Sequence, residues 1–178
     1  MNRQSKLLMN IGKKMIILID SHEKKPLKFT FYKKEIQTES RYLRLGTTRY
    51  SQDYSLEGYE NEIGIQFKRL NDLYVSLGQN RNNFMSNCKA MVEHVANPYL
   101  FIAASPNNIF KGCVEHEVTN RDRFKRNYTN LNVNSLFATL FRVAEMGIKV
   151  RFYQNEKEVA KKVVKLFREF LKFKQEII

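Results

Sequence analysis

The stretch "IGIQFKRLND", residues 63–72, begins as an alternating apolar strand and then places a glutamine, a lysine and an aspartate at fixed spacing. Because alternate side chains of a strand share a face, the three apolar side chains from Ile63 to Phe67 point one way. Gln66 and Lys68 then point together to the other face. A carboxylate at position 66 would converge with the amine of Lys68 on one small volume, and the chain carries a neutral amide there.

The composition of the 178 residues fits one ordinary globular domain with a real core, since 43% of the chain is apolar and 12% aromatic. The net charge of +13 favours a polyanionic partner such as nucleic acid or an anionic membrane surface. Charge alone does not choose between these partners, and a basic surface is often only a solubility feature.

The apolar runs of the chain are shorter than the roughly 18 residues that a membrane span requires. The basic opening also lacks the continuous apolar core and cleavage site of a secretory signal. We therefore expect an intracellular protein without a membrane partner, cytoplasmic if the source is a bacterium or a phage. We divide the chain into a basic N-terminal extension, 1–14, and one domain, 15–178.

Helical and strand patterns alternate along the chain, which predicts an α/β fold with a mixed central sheet flanked by helices. The predicted strands are 15–20, 41–45, 53–68 (a hairpin turning at 57–61), 98–105 and 148–153, and the predicted helices are 71–95 (interrupted near Gly78), 133–147 and 155–175. The last helix carries an apolar stripe opposite a lysine-rich face, and Asn155 can cap its start. We interpret the stripe as core packing in preference to a membrane-surface helix; its phenylalanines could also form a subunit interface.

The cysteines and histidines lack the spacing of metal or redox motifs. Cys88 and Cys113 are far apart, so we expect buried free thiols. His94 and His116 have no ligand pattern, and we interpret "CVEHE", 113–117, as a solvated loop or strand in preference to a metal site.

Three carboxylates are expected near the face that carries Gln66 and Lys68. Asp20 ends the first apolar strand, Glu23 follows shortly after, and Asp53 begins the strand that pairs with 63–68. Two or three carboxylates beside a lysine are what metal-assisted phosphodiester cleavage requires, since oxygen ligands hold a hard cation such as Mg²⁺. For any one of these acids taken alone, a turn or cap role is the better interpretation.

In this order and spacing the motifs resemble the nuclease domain of the XPF/Mus/Hef structure-specific endonucleases. The residues that carry the resemblance are "IILIDSHEKKPL", "QDYSLEG" and "IGIQFKRLNDLYVSL" followed by Arg81, and it continues from residue 15 to about 173. The corresponding family pattern is V-D-x-R-E, then G-D-Y, then E-R-K-x-x-x-D. The resemblance implies a restriction-endonuclease-like fold and metal-dependent cutting of branched or flapped DNA, often by a dimer built on the last helices.

The resemblance assigns roles residue by residue. It implies that Asp20, Glu23, Asp53, Gln66 and Lys68 form the catalytic set, and that the first four of them hold Mg²⁺ or Mn²⁺. It matches Asp72 to the trailing aspartate, and Ser76 and Arg81 to the serine and arginine of the following helix. We expect Arg81, Lys24 and Arg69 to contact DNA, and we expect a homodimer formed through the C-terminal helices.

Three departures from the family pattern stand out. His22 replaces the arginine of V-D-x-R-E, Gln52 replaces the glycine of G-D-Y, and Gln66-Phe67 replaces Glu-Arg. Glutamine has almost the shape of glutamate, but its amide oxygen is a weaker ligand for a hard cation. We therefore expect a steep loss of activity while the fold and DNA affinity persist.

Two explanations of Gln66 stay open: a natural protein that binds DNA without cutting it, or an active lineage with an altered or engineered residue. We favour the second, because the other catalytic residues are intact. The function predicted first is a structure-selective DNA endonuclease, of the kind that a phage or mobile element would use in recombination or repair. The alternatives are a non-catalytic DNA-binding or scaffolding subunit and, third, a module that binds an acidic protein.

Overall fold

The structure is a computed structural model that describes residues 15–111 and 132–176. Its strands are β1 Ile17–Asp20, β2 Thr30–Phe31, β3 Lys34–Glu35, β4 Thr38–Arg41, β5 Tyr54–Leu56, β6 Ile63–Arg69, β7 Asn97–Ala103 and β8 Lys149–Phe152. Its helices are α1 Leu70–Leu77, α2 Arg81–His94, α3 Val133–Glu145 and α4 Glu156–Glu176, and residues 106–111 are also helical.

The central sheet has six strands in the order β4-β1-β5-β6-β7-β8. All of them run parallel except β5, which is antiparallel to both of its neighbours. Strand β5 and strand β6 form the predicted hairpin, so residues just before β5 lie at the edge where β1 and β6 end. Because β5 is reversed, its first residues lie beside the carboxyl ends of the parallel strands.

The two faces of the sheet are covered by different helices, as expected for an α/β fold. Helices α1, α2 and α3 cover one face, where Leu100 and Ile102 of β7 are buried with Leu73 and Met91. Helix α4 and the small β2–β3 hairpin cover the other face. The chain therefore folds as a mixed sheet between two helical layers, as the sequence predicts.

The apolar face of β6 points toward α4, as its alternation predicts. Ile63, Ile65 and Phe67 pack there with Val163 and Phe167 of α4. The interpretation of the α4 stripe as core packing is confirmed for its buried side chains. Gln66 and Lys68 are consequently left on the α2 face.

The predicted ends of several elements are confirmed. The helical segment after β6 breaks at Gly78, whose backbone N–H donates to the carbonyl of Tyr74. The side chain of Asn132 accepts from the N–H of Asn134 at the start of α3. Asn155 caps α4 in the same way, through the N–H of Glu158.

The predicted strand at 41–45 is wrong, and the strand lies at Thr38–Arg41 instead. Leu43 and Leu45 are buried and alternate correctly, but β1 ends opposite Arg41, so the chain beyond it has no parallel partner with which to continue the ladder. Strand β4 itself is polar and lies at the edge of the sheet, which is why periodicity did not reveal it.

The β2–β3 hairpin was also not predicted from the sequence. Its two turn residues, Tyr32 and Lys33, both have positive φ, at 47° and 64°. Two-residue hairpin turns of this kind usually carry Asn or Gly, because positive φ crowds other side chains. Without those residues the turn has no recognisable sequence signal.

Cys88 is a buried free thiol, as predicted. Cys113, His116 and the rest of the "CVEHE" segment lie outside the described residues, as does the basic extension 1–14. Among the helices of the described part, none is long and apolar enough to cross a bilayer.

Candidate active site and adjoining groove

The candidate site lies on the α2 face of the sheet, at the carboxyl ends of the parallel strands. Asp20 is the last residue of β1, and its backbone N–H donates to the carbonyl of Asp53 at 2.9 Å. Asp53 in turn donates its backbone N–H to Ile65 of β6 at 2.9 Å. Three adjacent strands thus bring two carboxylates and the polar side of β6 together, as the sequence predicts.

Asp20 is 3% exposed, and donors from the chain that follows β4 surround its carboxylate. Ser51 Oγ donates to Oδ2 at 2.8 Å, and the N–H of Leu43 approaches Oδ1 at 3.4 Å. His22 Nδ1 lies 3.4 Å from Oδ1, and its ring stacks edge-on against Tyr42 with centroids 4.9 Å apart. His22, which replaces the family's arginine, therefore packs over Asp20 at the rim of the site.

Asp53 is less exposed to water than an ordinary surface carboxylate, and its Oδ2 accepts two short hydrogen bonds. Gln66 Nε2 donates at 2.5 Å and the backbone N–H of Phe67 at 2.6 Å. Burial raises the pKa of Asp53 to about 6, against the opposing effects of Lys68 and of the Phe67 N–H, while the nearby Glu23 and Asp20 raise it slightly further.

Gln66 is 5% exposed and links Asp53 to helix α2. Its amide nitrogen faces Asp53, and its Oε1 accepts from Asn87 Nδ2 at 2.6 Å. Hydrogen bonding fixes this orientation, because an ionised carboxylate only accepts and must receive the NH₂ end of the glutamine. Asn87 was missed in the sequence, since a single asparagine in an amphipathic helix carries no motif.

Lys68 lies two residues along β6 on the same face, where it influences two buried groups. Its positive charge lowers the pKa of Asp53, against the effect of burial. Burial likewise raises the pKa of the Cys88 thiol to about 12, and the charge of Lys68 acts against that increase too. An ammonium group within reach of both is positioned to neutralise negative charge at this edge. This placement agrees with the predicted association of a carboxylate and a lysine.

Glu23 lies beside the carboxylates but is tied to the loop after β1. Its Oε1 accepts from the N–H of Lys25 at 2.9 Å and lies 3.6 Å from the guanidinium of Arg69. Arg69 also forms a two-point ion pair with Glu156, at 3.0 and 2.9 Å, and donates to the carbonyl of Lys25 at 2.6 Å. Arg69 thus joins the loop, β6 and α4, and its DNA contact stays a prediction.

An open groove of about 840 Å³ adjoins the site at the same edge of the sheet. Its lining comes from the loop after β1, the β6–α1 junction, the end of β7 and the β8–α4 turn: His22, Glu23, Lys24, Lys25, Arg69, Leu70, Asn71, Asp72, Ala103, Gln154, Asn155 and Glu156. Lys24 and Lys25 are exposed there. Crevices beyond the carboxyl ends of parallel strands are the usual ligand sites of α/β sheets.

Arg81 is the first residue of α2 and is half-buried. It precedes Asn87 by six residues, which is about 9 Å along a helix. Arg81 therefore begins the helix that supports Gln66, and its contact with DNA remains a prediction.

Gln52, the second departure from the family pattern, is explained by Gly64. Gln52 is 1% exposed and donates to the carbonyl of Glu60 at 2.8 Å. A Cβ atom added at Gly64 would lie 1.6 Å from Gln52 Oε1. The buried glutamine thus occupies the space left by the missing side chain in β6.

As arranged, these residues do not fit a divalent cation. Both hydrogen bonds to Asp53 Oδ2 come from protein N–H groups, and the Gln66 donor points at the carboxylate where a ligand oxygen would be needed. Within the described residues there is also no group of three or more Asp, Glu, His or Cys side chains placed to hold a metal. The fold brings the four residues assigned to the metal from the sequence near one another, but they do not form a metal-binding site.

The fold is similar to that of solved XPF structures. One is XPF from Aeropyrum pernix, with a TM-score of 0.58 and 16% sequence identity over 91% of this chain and 68% of that chain. The chain has the fold of XPF. A second structure, XPF from Aeropyrum pernix in complex with DNA, matches with a TM-score of 0.58 and 17% identity over 89% of this chain.

This chain spans about two thirds of each of those XPF chains, at 68% and 66%. The sequence itself matches no protein-family model and no curated protein. At such low identity the structural similarity establishes the restriction-endonuclease-like fold.

Proposed function

We propose that this protein is a DNA-binding domain of the structure-selective endonuclease type, whose phosphodiester hydrolysis is strongly reduced by Gln66. The observation that carries the proposal is the convergence of Asp20, Asp53, Gln66 and Lys68 at one sheet edge beside an open groove. An XPF protein of the same fold has been solved with DNA, which supports nucleic acid as the partner.

The charge of the chain supports the same partner. The net charge is +13, and exposed Lys24 and Lys25 line the groove next to the carboxylates. Lysine side chains bind DNA by neutralising phosphates and releasing counterions, so the affinity should fall steeply as salt increases. A branched or flapped substrate would place a phosphate beside Asp53 when its arms lie in the groove.

Gln66 determines what the site can do once DNA is bound. Its neutral amide satisfies Asp53 without a cation, so the hard metal ion that would activate water lacks one carboxylate ligand. Replacing Gln66 with glutamate supplies that ligand, and we propose Mg²⁺ or Mn²⁺ as the cation of the glutamate form. The dimer through the C-terminal helices is part of the same proposal, since Phe173 on α4 is 59% exposed.

A non-catalytic scaffolding role is the second candidate, and the Asn87–Gln66–Asp53 hydrogen bonds favour it. They give the acidic residues stable partners in a site without metal. In this case the glutamate variant would bind DNA as the unmodified protein does and would still not cut it.

The binding test compares affinities for single-stranded, duplex, flap and four-way DNA at one fixed salt concentration. We expect nanomolar to micromolar binding that weakens with salt and is tightest for a branched form. Equal, weak binding to all four DNAs with no salt dependence would contradict DNA as the partner. Retained capture of an acidic protein under those conditions would favour the protein-binding alternative.

A further inference from the structure

Asn87 has no role in the sequence pattern, yet it holds the oxygen end of Gln66, while Asp53 receives the NH₂ end. Its Nδ2 donates to Gln66 Oε1 at 2.6 Å, and its own Oδ1 is buried without a hydrogen-bond partner. An asparagine that buries an unsatisfied oxygen loses free energy of hydration that one hydrogen bond only partly offsets. The position of Asn87 is thus set by what it donates to Gln66.

The Asn87–Gln66–Asp53 chain of hydrogen bonds has one direction. If the Gln66 amide were turned over, its oxygen would face the Asp53 carboxylate and its NH₂ group would face the NH₂ group of Asn87. Both short contacts would then become repulsive in a poorly hydrated site, where unmatched polar groups are costly. Turning Asn87 as well would restore its contact with Gln66, but its NH₂ group would then take the buried position of Oδ1, which has no hydrogen-bond partner. The turned form is therefore disfavoured at both ends of the glutamine.

We propose that Asn87 is a positioning residue that locks the Gln66 amide nitrogen onto Asp53 and thereby keeps divalent cations out of the site. The Gln66 NH₂ group, 2.5 Å from Oδ2, takes the approach that a cation would need. With Asn87 in place, the only oxygen that Gln66 could offer a metal is committed to α2. The inference deepens the proposed function, because it explains how the same residues can bind DNA without assembling a metal centre.

The same asparagine should have the opposite effect once position 66 is acidic. In the Gln66→Glu variant, the Asn87 N–H would donate to one carboxylate oxygen and leave the other directed at Asp53. Hydrogen bonds of this kind orient metal-ligating carboxylates and strengthen metal binding. Removing Asn87 should therefore help a cation enter the unmodified site and hinder its binding in the glutamate form.

The test measures Mn²⁺ affinity, by calorimetry and by the electron paramagnetic resonance signal of free Mn²⁺, on four forms of the full chain without DNA. The forms are the unmodified protein, N87L, Q66E and the double variant; leucine keeps the approximate shape of asparagine and removes its donor. We expect N87L to bind Mn²⁺ about 10-fold more tightly than the unmodified protein, and the double variant about 10-fold more weakly than Q66E.

The opposite changes in Mn²⁺ affinity distinguish a positioning role of Asn87 from a general structural role. A general structural role would change the Mn²⁺ affinity of the unmodified protein and of Q66E in the same direction. Unchanged or weaker Mn²⁺ binding by N87L would overturn the proposal. If N87L does not fold, N87A replaces it in the same four-way comparison.

A measurement on the unmodified protein supplies a second check. The side-chain NH₂ resonances of Gln66 should keep their chemical shifts at concentrations of diamagnetic Mg²⁺ that saturate Q66E, because the cation is kept from Asp53. Shifts of those resonances at such concentrations would show a cation at the site and would contradict the lock. Neither readout uses DNA, so a failure here leaves the salt-dependent DNA binding to be judged separately.

Discussion

Two neighbouring regions at one edge of the sheet differ in how fully their polar groups are engaged. Around Asp53, short hydrogen bonds from Gln66 and Phe67 engage Oδ2 of the carboxylate, and Asn87 completes the chain. In the groove beside it, Lys24 and Lys25 are exposed around an open space of about 840 Å³. The first region is closed by internal contacts, and the second is open to a ligand.

Under the proposed function, holding DNA and cutting DNA would depend on separate features of this fold. DNA binding requires exposed basic side chains beside a crevice, and cutting requires a set of ligands that holds a metal ion. On this proposal, the neutral side chain of Gln66 removes the second requirement and leaves the first untouched. Variants that open the closed region, or close the open one, therefore affect different measurements.

The largest effect is expected from Gly64→Ala, which disrupts the packing that supports the closed region. The new Cβ atom would lie 1.6 Å from Gln52 Oε1, so the buried glutamine must move and lose its bond to Glu60. Overpacking a buried site in this way should lower the free energy of unfolding by about 3 kcal/mol, measured by urea denaturation. Adding Gln52→Ala should recover part of the loss, and no recovery would show that the clash lies elsewhere.

The next effect concerns the charge of Asp53, tested by Asp53→Asn across pH. The pKa of Asp53 in the folded protein is raised to about 6 from 3.8. Between these two pH values the folded protein therefore keeps a proton on Asp53 that the unfolded chain has released. This contribution to stability is present below about pH 4 and is lost as the pH rises to about 6.

The asparagine variant has no carboxyl group to titrate at position 53, and its side-chain oxygen can still accept hydrogen bonds from Gln66 and Phe67. Its stability relative to the unmodified protein should therefore increase by about 2 to 3 kcal/mol between pH 4 and pH 7. The comparison uses urea denaturation at each pH. A difference that stays constant across this range would mean that the pKa of Asp53 is ordinary.

The open region is tested by reversing its two exposed lysines in a Lys24→Glu, Lys25→Glu double variant. DNA affinity should fall about 10-fold or more, and the slope of log affinity against log salt should decrease by about 2. The matched control reverses Lys161 and Lys162, an adjacent exposed pair on α4 outside the groove lining, with the same change in net charge. Equal losses in the two variants would indicate that net charge, and not the groove, attracts DNA.

The smallest effect is expected at the rim, from Glu156→Gln. The variant removes a negative charge from the groove and weakens the ion pair with Arg69, which still faces Glu23 and the Lys25 carbonyl. Half-exposed ion pairs contribute little, so the unfolding free energy should change by less than about 1 kcal/mol. DNA affinity should rise about two- to threefold. Glu169→Gln, in an exposed α4 pair with Lys165, is the control and should leave affinity unchanged.

Most of the scaffold could be predicted from the sequence because its signals are local. The alternation of β6 places Gln66 and Lys68 on one face, and the period of α4 identifies the side that packs on the sheet. Strand β4 and the β2–β3 hairpin could not be predicted in the same way. One is a polar edge strand, and the other turns through positive φ without a glycine.

The positions of the candidate site residues could be predicted from the sequence, but most of the hydrogen bonds and ion pairs between them could not. Sequence spacing brings Asp20, Asp53 and Gln66 together, but the oxygen of the Gln66 amide is held by Asn87, 21 residues away on another element. Arg69 likewise looks like a free cation in the sequence, whereas its partner Glu156 lies 87 residues further along the chain. Long-range partners of this kind become visible only when the elements are packed.

The most direct test of the central claim compares cleavage by the unmodified protein and by Gln66→Glu on branched DNA with Mg²⁺ or Mn²⁺. If the neutral amide at position 66 keeps the centre from assembling, the glutamate variant should cut at least about 100-fold faster. Chelation with EDTA, or addition of Asp20→Asn, should abolish the gain while DNA binding persists. Failure of the glutamate variant to cut any DNA, or equal cutting by both proteins, would contradict the claim.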